Sequence, residues 1–593
     1  MFLRLRLTST SLHQLFSTSA ITCIDFYICI IENRPICLEH ERVSSQDQKY
    51  RPRSKEAGTG TMELRTKCLV AGSAAGPLLF SDEPLSFWGG IDPATGEIID
   101  RHHPLSGKRL KDHVFAMPCG RGSCTGSVAM LELLLNGQGP AAMIFQQREE
   151  ILTLGVVVAK MLFQRRIPVI VLEGEEFHAL QRYGFAAISG DCLSVSNEPD
   201  VKMTQVPREP KLPTQILELS WQDKGLLEGS QGKAASAAMK ILVEFASIQE
   251  AKSLVDVTQV HIDACIWVAP ASTRFTEHLA DLGDAKFAVP ASMNSISIDR
   301  QRWQVLGVDP IFAKEADRLA SAYVKMGASS SFTCAPYLLD TAPKAGEQVG
   351  WGESNAVVFA NSVLGACTQK YPDFIDVCIA LTGRAPAAGV HIPENRRPSI
   401  KIEVPKLDGF DDLLFPLLGY CVGHQSGARI PFIVGMEHTN LSIADLKAFG
   451  AAFATTSSAP MFHICNVTKE ASKMKDYADQ LPTIKIEHAQ LEKCWRSLNT
   501  ATDSALDLVA LGNPHFAYEE FDTLLNLCRG RRNHPDVSFV VTTSRHVYGQ
   551  IAKVGMIEPL EEFGVHILSD TCWYADTQYF LSSITANIVS SGA

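Results

Sequence analysis

The clearest hydrophobic pattern in the chain is an apolar strand, a glycine turn and an apolar helix in succession. Residues 113–118 are mostly apolar and end at a proline, which predicts a buried strand. Residues 128–135 are almost wholly apolar and are followed by an Asn-Gly pair, which predicts a buried helix. The turn between them holds Gly120, Gly122 and Gly126, whose backbones can approach a ligand closely. The pattern predicts a strand–turn–helix unit.

Helices and strands continue to alternate after this unit. The predicted helices are at 152–162, 175–183, 217–245 and 313–326. The predicted strands are at 168–172, 185–190, 257–263, 286–290, 430–436, 505–511, 537–543 and 564–569. Such alternation is typical of parallel sheets covered by helices, so the predicted fold class is α/β, with a small β-rich segment before the glycine turn.

Composition divides the chain into four segments. Four prolines among charged residues mark 199–215 as a linker between a small domain at 62–198 and a large domain at 216–593. Residues 1–61 differ from the rest, and two interpretations stay open. They are either an extension upstream of the true start, which favours a cytoplasmic protein, or a mitochondrial presequence carried by residues 1–23, which contain no acidic side chain.

Charge and length narrow the function classes. The chain has 593 residues and a net charge of −11, which disfavours a nucleic-acid or anionic-membrane binder. Its apolar runs are shorter than the roughly 18–20 residues that a membrane span needs. The 16 cysteines are scattered, which indicates buried free thiols with a few metal ligands among them. We therefore expect a small-molecule partner, and the sequence does not indicate an oligomeric state.

The glycine turn is the first candidate for chemistry. Amide groups at a helix start, together with the helix dipole, favour an anion, and Ser123 would project its hydroxyl into the same space. A dinucleotide-binding turn would look similar but needs an acidic residue about 20 residues later. The next strand ends instead in Gln146, Gln147 and Arg148. An anion-binding or catalytic turn and a merely structural one both remain open.

A second candidate is a crowded run of small and polar residues between 333 and 368. Its polar side chains would need partners if buried, because unsatisfied polar groups are costly. Those side chains are Glu353, Ser354, Asn355, Asn361 and Ser362. A ligand or metal site explains them, and so does a polar network that stabilises a loop.

Two further positions stand out by residue type. Arg384 has the planar fork that binds carboxylates in pairs, although a surface salt bridge would use it equally well. Cys572 follows the predicted strand at 564–569, which suits a metal ligand or a catalytic thiol, whereas a lone cysteine is more often buried filler.

Taken together, the motifs resemble the aconitase X family. They run in order from G-R-G-S at 120–123 through T-C-A-P-Y, G-E-S-N-A, A-N-S-V-L-G-A, L-T-G-R-A-P and a G-x-P-H segment to D-T-C at 570–572. The resemblance implies a large domain of stacked α/β/α layers that carries an iron–sulfur cluster. It also implies a smaller β/β/α swivel domain that closes over the active site. Members of this family are hydro-lyases that dehydrate cis-3-hydroxy-L-proline or mevalonate 5-phosphate.

The resemblance also assigns residue roles. Ser123 matches the general base, and the cluster iron would act as Lewis acid on the leaving hydroxyl. Cys334 and Cys572 match cluster ligands, and Asp263 matches a polar strand end near the site. The remaining positions match substrate-binding residues: Gly122, His261, Asn294, Glu353, Ser354, Asn355, Asn361, Ser362 and Arg384.

Three departures from the family pattern affect the expected chemistry. Asn513 and Phe516 stand where four-iron members tend to have cysteine, which favours a two-iron cluster. Cys367 stands where the family usually has arginine, and it is either a third ligand or a simple substitution. The chain after residue 573 differs from the usual tail, which keeps a catalytically inactive paralogue open.

Three functions are therefore weighed. The leading one is dehydration of cis-3-hydroxy-L-proline to pyrroline-2-carboxylate, with mevalonate 5-phosphate as the alternative substrate. The second is an inactive family member, and the third is a nucleotide-dependent oxidoreductase using the glycine turn.

Overall fold

The computed structural model describes residues 61–121, 124–201, 203–208, 217–406, 413–499, 505–572 and, as backbone alone, 588–590. The predictions for the N-terminal extension, Gly122, Ser123 and most of the tail after Cys572 therefore lie outside the described residues. Within the described part, no helix is both long enough and apolar enough to cross a bilayer.

The N-terminal body contains an eight-stranded mixed sheet, a separate two-stranded sheet and the helices that pack on them. Its strands are β1 Met62–Arg65, β2 Lys67–Val70, β3 Ser73–Phe80, β4 Ile91–Asp92, β5 Glu97–Ile98, β6 Val114–Met117, β7 Ala142–Phe145, β8 Val169–Val171, β9 Phe185–Ser189 and β10 Cys192–Ser196. Its helices are α1 Gly126–Leu135, α2 Ile151–Phe163 and α3 Gly174–Ala179. The order in the large sheet is β1-β10-β9-β3-β6-β7-β8-β2, and β3, β6, β7 and β8 run parallel.

Strand β6 is buried on both faces, which explains its continuous apolar sequence. Phe115 and Met117 face the core that contains α1 and α2, whereas Val114 and Ala116 face the core on the other side of the sheet. The predicted strand–turn–helix unit is thus present as β6 and α1.

The rest of the chain forms three further bodies. The first contains β11 Leu254–Asp256, β12 Val260–Ile262, β13 Ala291–Met293, β14 Gly350–Trp351 and β15 Arg384–Pro386. Its helices are α4 Trp221–Glu228, α5 Lys233–Ile248, α6 Pro270–Asp281, α7 Pro310–Met326, α8 Ser354–Phe359 and α9 Ile375–Thr382. Its parallel sheet has the order β13-β12-β14, and β11 pairs antiparallel with β15.

The second and third bodies each contain one parallel four-stranded sheet. The second contains β16 Ile400–Glu403, β17 Pro431–Val434, β18 His463–Ile464, β19 Thr483–Lys485, α10 Leu414–Ser426, α11 Ile443–Thr456, α12 Lys475–Ala478 and α13 His488–Leu498. The third contains β20 Leu508–Leu511, β21 Ser538–Thr543, β22 Val565–Ser569, β23 Ile588–Ser590, α14 Tyr518–Cys528, α15 Arg545–Lys553 and α16 Ile557–Phe563. Their orders are β18-β17-β16-β19 and β22-β21-β20-β23. The predicted α/β class is confirmed.

Two predicted elements differ from the structure. The single helix expected over 217–245 is two helices, α4 and α5, because Gly229 and Gly232 take positive φ between them. The strand expected at 286–290 is wrong. The amides of Phe287 and Ala288 donate to the carbonyls of Met326 and Ala380 instead of to a neighbouring strand.

Candidate active site

Cys334, His515 and Cys572 form the cysteine–histidine cluster. One ligand atom from each lies within 4.8 Å of the other two, and all three residues are buried. His515 and Cys572 follow the carboxyl ends of the parallel strands β20 and β22, the edge where open α/β sheets bind ligands. Cys334 comes from the loop after α7, and the backbone N–H of His515 donates to its Sγ at 3.2 Å. The sequence is therefore folded so that three distant segments meet at one point.

The pKa values of the two thiols are shifted in opposite directions. The hydrogen bond from Cys334 lowers the pKa of Cys572 well below that of a free thiol, whereas burial raises the pKa of Cys334. Ser295 Oγ lies 3.0 Å from Cys572 Sγ and adds a further hydrogen bond. Cys572 is thus prepared to be a thiolate, the form in which cysteine binds metals.

The imidazole of His515 is fixed by two oxygen atoms. Its Nε2 lies 2.9 Å from the carbonyl oxygen of Thr571, which can only accept, so Nε2 carries the proton. Its Nδ1 then accepts from Thr333 Oγ1 at 3.2 Å. Nε2 also lies 4.0 Å from Cys572 Sγ, so the ring orients beside the thiol that has the lowered pKa.

Cys124, Asp263 and Asp373 form the aspartate cluster, whose ligand atoms also lie within 4.8 Å of one another. Cys124 precedes α1 in the N-terminal body, and its Sγ donates to Asp263 Oδ2 at 3.1 Å. Ser127 Oγ in α1 donates to the carbonyl oxygen of Asp373 at 3.2 Å. These contacts place the predicted glycine turn against the first body of the large domain.

A chain of hydrogen bonds connects the two clusters. Asn294 Nδ2 donates to Asp263 Oδ1 at 2.5 Å, and Asn294 Oδ1 accepts the backbone N–H of Ser295 at 2.7 Å. Ser295 Oγ then meets Cys572 Sγ. The two clusters are therefore parts of one site.

His261 lies on β12, two residues before Asp263, and its imidazole ring is neutral. Its Nδ1 lies 2.8 Å from Ser292 Oγ on the neighbouring strand β13. Burial lowers the pKa of His261 to about 3. It supports the strand end that carries Asp263 rather than supplying charge.

Glu353 and Asn355 lie at the start of α8, beside Cys334. Glu353 Oε2 caps the helix by accepting the backbone N–H of Ala356 at 2.9 Å. Asn355 Nδ2 donates to the carbonyl oxygen of Cys334 at 3.1 Å, and its Oδ1 accepts from Tyr337. Burial and the charge of Asp263 raise the pKa of Glu353 to about 8, so this carboxyl group holds a proton at neutral pH.

Lys370, Asp373 and Asp376 belong to the site but were not selected from the sequence. Burial lowers the pKa of Lys370 to about 8, although the charges of Glu353 and Cys124 oppose that shift. Asp376 Oδ2 accepts the backbone N–H groups of Asp263 and Ala264, and burial raises its pKa to about 7. The available signal was three charged residues in the otherwise mostly apolar segment 370–382.

Several predicted site residues instead hold the scaffold together. Asn361 Nδ2 donates to the carbonyls of Thr368 and Pro460, and Ser362 Oγ accepts the backbone N–H of Phe462 at 2.9 Å. Ser354 is the first residue of α8. These contacts are those of a polar network around α8 and the π-helical turn Ala360–Leu364 that continues it, so substrate roles for these residues stay predictions.

Arg384 and Cys367 lie outside both clusters. The Arg384 guanidinium is buried and lies 2.8 Å from the Asp223 carboxylate, and it also contacts Asp256. Arg384 and Asp223 therefore form an internal ion pair rather than a surface one. The charged groups around the Cys367 thiol are Arg396 and Glu470. Neither residue belongs to the groups of metal-binding side chains found in the described residues.

Comparison with known protein families matches four consecutive domains. The aconitase X swivel domain covers residues 63–195, and the aconitase X first domain covers 216–394. The aconitase X second domain covers 398–496, and the third covers 506–592.

Individual relatives agree with these domains. The chain is 49% identical to a cis-3-hydroxy-L-proline dehydratase of Hypocrea jecorina, over 88% of this chain and 89% of that protein. It is 47% identical to a cis-3-hydroxy-L-proline dehydratase of Pseudomonas aeruginosa, over 86% and 88%. It is 31% identical to the phosphomevalonate dehydratase large subunit of Methanothermobacter thermautotrophicus, over 59% and 86%.

A solved structure supports the fold. The crystal structure of Thermococcus kodakaraensis aconitase X in its holo-form matches with a TM-score of 0.55 and 28% identity, over 60% of this chain and 89% of that one. The chain therefore belongs to the aconitase X family of hydro-lyases.

Proposed function

We propose that this protein dehydrates cis-3-hydroxy-L-proline. The observation that carries the proposal is the near-complete match to two dehydratases of that substrate, at 49% and 47% identity. The joined cysteine–histidine and aspartate clusters agree with it, because a dehydratase must remove a proton and a hydroxyl from adjacent carbons. The lower identity to a phosphomevalonate dehydratase, 31%, makes mevalonate 5-phosphate the second candidate substrate.

In the proposed reaction the proton on C2, beside the carboxylate, and the hydroxyl on C3 leave as water. The electron pair of the C–H bond forms the C2–C3 double bond as the C3–O bond breaks. The resulting cyclic enamine then tautomerises to the imine, pyrroline-2-carboxylate. No oxidant or reductant takes part, so the site needs only a base, groups that assist the leaving hydroxyl and groups that hold the substrate.

We propose Ser123 as the base that takes the C2 proton. The residue that follows it, Cys124, donates to Asp263 inside the site. Helix α1 begins two residues later, and the amide groups of a helix start stabilise a serine that is losing its proton. Glu353 holds a proton next to Cys334, where it can donate that proton to the departing oxygen.

The cysteine–histidine cluster fits the cofactor that the family implies. Thiolates and imidazole suit iron–sulfur clusters, and the hydrogen bonds described above already favour a thiolate at Cys572. We propose Cys334 and Cys572 as ligands, with the Nε2–H of His515 beside the Cys572 sulfur. An iron–sulfur cluster held there would supply a Lewis acid for the leaving hydroxyl. Two cysteines with Asn513 and Phe516 beside His515 favour a two-iron cluster.

A dehydration assay tests the proposal. Anaerobically iron-reconstituted protein is given cis-3-hydroxy-L-proline, and the imine is trapped with o-aminobenzaldehyde. We expect product from the wild type and none from Ser123→Ala. If the loaded protein shows the iron–sulfur absorbance band and gives no imine but turns over mevalonate 5-phosphate, then mevalonate 5-phosphate is the substrate. Neither band nor product would favour an inactive family member.

A further inference from the structure

The aspartate cluster contains two carboxylates buried side by side. Asp263 is 7% exposed and Asp373 is 5% exposed, and an oxygen of each lies within 4.8 Å of the other and of Cys124 Sγ. Two neighbouring carboxylates away from water are costly unless a cation or a proton compensates them. Burial raises the pKa of both carboxyl groups, so a positively charged ligand bound here would take the place of a proton.

The hydrogen bonds leave one oxygen available. Both oxygens of Asp263 are occupied, Oδ1 by Asn294 and Oδ2 by Cys124. Asp373 accepts a hydrogen bond from Thr125 and lies beside the Cys124 thiol, yet its Oδ1 is buried without a hydrogen-bond partner among the described residues. A buried acceptor that is left unpaired costs about 1–3 kcal/mol, so Oδ1 is a position that a donor on a ligand would fill.

The charged groups around the aspartate cluster also favour a cation there. Asp376 and Glu353 also lie close enough to interact with Asp263, which makes four acidic groups at one place, of which Glu353 keeps its proton at neutral pH. The cation found there in the described residues is Lys370, whose Nζ donates to the carbonyl oxygen of Ser457 at 2.9 Å. Lys370 therefore does not satisfy Asp373, and the acidic groups outnumber the basic one.

We propose that Asp373, together with Asp263, binds the ring ammonium group of the substrate and so selects a cyclic amino acid over a hydroxy acid without nitrogen. This inference rests on the proposed function. An N–H bond of the secondary ammonium group can donate to Asp373 Oδ1, while the neighbouring Asp263 adds negative charge beside it. The contact would also set the C2 carbon, bonded to that nitrogen, beside the turn that holds Ser123.

A pair of matched ligands tests the assignment by calorimetry on the iron-loaded full-length protein. L-Proline and (S)-tetrahydrofuran-2-carboxylate share the ring and the carboxylate, and they differ in having an ammonium group or an oxygen. We expect the wild type to bind L-proline roughly 10- to 100-fold more tightly than the oxygen analogue, the range of a charged hydrogen bond. Asp373→Asn should lose that preference while binding the oxygen analogue as before, and Asp373→Glu should restore part of it.

Controls separate the possible outcomes. Asp340→Asn removes an exposed acid elsewhere and should keep the full preference. Unchanged discrimination in Asp373→Asn, with normal turnover of cis-3-hydroxy-L-proline by the wild type, would overturn the ammonium assignment and leave the proposed function intact. Wild-type protein that neither binds L-proline nor turns over the substrate would refute both. Stoichiometric Mn²⁺ binding that Asp373→Asn abolishes, without any ammonium preference, would make the cluster a metal site instead.

Discussion

At the scale of single residues, the site depends on how burial and hydrogen bonds shift the pKa values of its side chains. Cys572 gives up its proton readily because Cys334 donates to it, and Glu353 keeps its proton because burial and Asp263 oppose its charge. The site therefore places a thiol that is ready to bind a metal near a carboxyl group that can donate a proton. Opposite pKa shifts in neighbouring groups are typical of catalytic centres.

Replacing either proposed ligand should remove the cofactor. Cys334→Ser and Cys572→Ser each replace a thiolate by a hydroxyl, which binds iron weakly at neutral pH. We expect loss of bound iron and of the visible absorbance band, measured after anaerobic reconstitution. Cys528→Ser is the matched control, because Cys528 is also buried but lies at the end of α14, outside both clusters. Full iron content in either cluster variant would contradict the ligand assignment.

The pKa of Glu353 predicts the alkaline side of the pH profile. A carboxyl group with a pKa of about 8 donates below that pH and loses its proton above it, so kcat should fall as the pH rises through about 8. Glu353→Gln should lower kcat by roughly 100-fold or more and remove this alkaline fall. Lys370 also has a pKa of about 8. A fall that persists in Glu353→Gln and disappears in Lys370→Met would assign it to the lysine.

At the scale of elements, close helix packing sets the position of the glycine turn. Helices α1 and α2 cross at Gly155, where an added Cβ would lie 2.5 Å from the carbonyl oxygen of Ser127 and 2.8 Å from Met130 Cβ. Ser127 in turn donates to Asp373. The absence of a side chain at Gly155 thus allows α1 to approach the site.

Gly155→Ala should therefore damage both stability and activity. Overpacking costs about 1–3 kcal/mol, and displacement of α1 would move the turn next to Ser123. Thermal unfolding and the dehydration assay measure the two effects. Gly549→Ala in α15 is the control, because nothing lies near its added Cβ, and it should stabilise the protein by about 0.4–1 kcal/mol. Equal behaviour of the two variants would contradict the packing explanation.

Arg384 connects two elements rather than the substrate. Its guanidinium on β15 pairs with Asp223 on α4, and both side chains are buried. Breaking a buried pair from either side costs about 3–5 kcal/mol, so Arg384→Met and Asp223→Asn should lower the free energy of unfolding similarly. KM should change little in both. A large rise in KM in Arg384→Met alone would support the carboxylate-clamp role considered from the sequence.

The sequence predicts local features of the fold better than long-range contacts. Strand β6, the glycine turn and α1 follow from hydrophobic periodicity, and family motifs select Cys334 and Cys572, which the structure brings together. The sequence does not predict His515 and Asp373 as site residues, because their partners lie far away along the chain. Cys334 and His515, for example, are 181 residues apart. Periodicity alone carries no information about such pairs.

At the scale of the whole molecule, the N-terminal body meets the rest of the chain through charged contacts as well as through the site. Lys160 on α2 pairs with Glu244 on α5 at 2.5 Å, and Arg148 pairs with Glu250 at 2.5 Å. Interfaces between domains of one chain are commonly polar in this way. The relative from Methanothermobacter thermautotrophicus, which matches 59% of this chain, is named a large subunit.

The connecting segment should therefore be dispensable when the interface is intact. We expect residues 62–208 and 217–593, coexpressed as two chains, to copurify and to dehydrate the substrate.

Lys160→Glu places two like charges together. In the two-chain form this variant should dissociate the complex, whereas in the intact chain it should cost little activity, because tethering keeps the effective concentration in the millimolar range. Lys160→Glu combined with Glu244→Lys should restore copurification. If Lys160→Glu alone leaves the two chains associated, the ion pair does not hold the two bodies together, and the buried apolar contacts between α2 and α5 must do so.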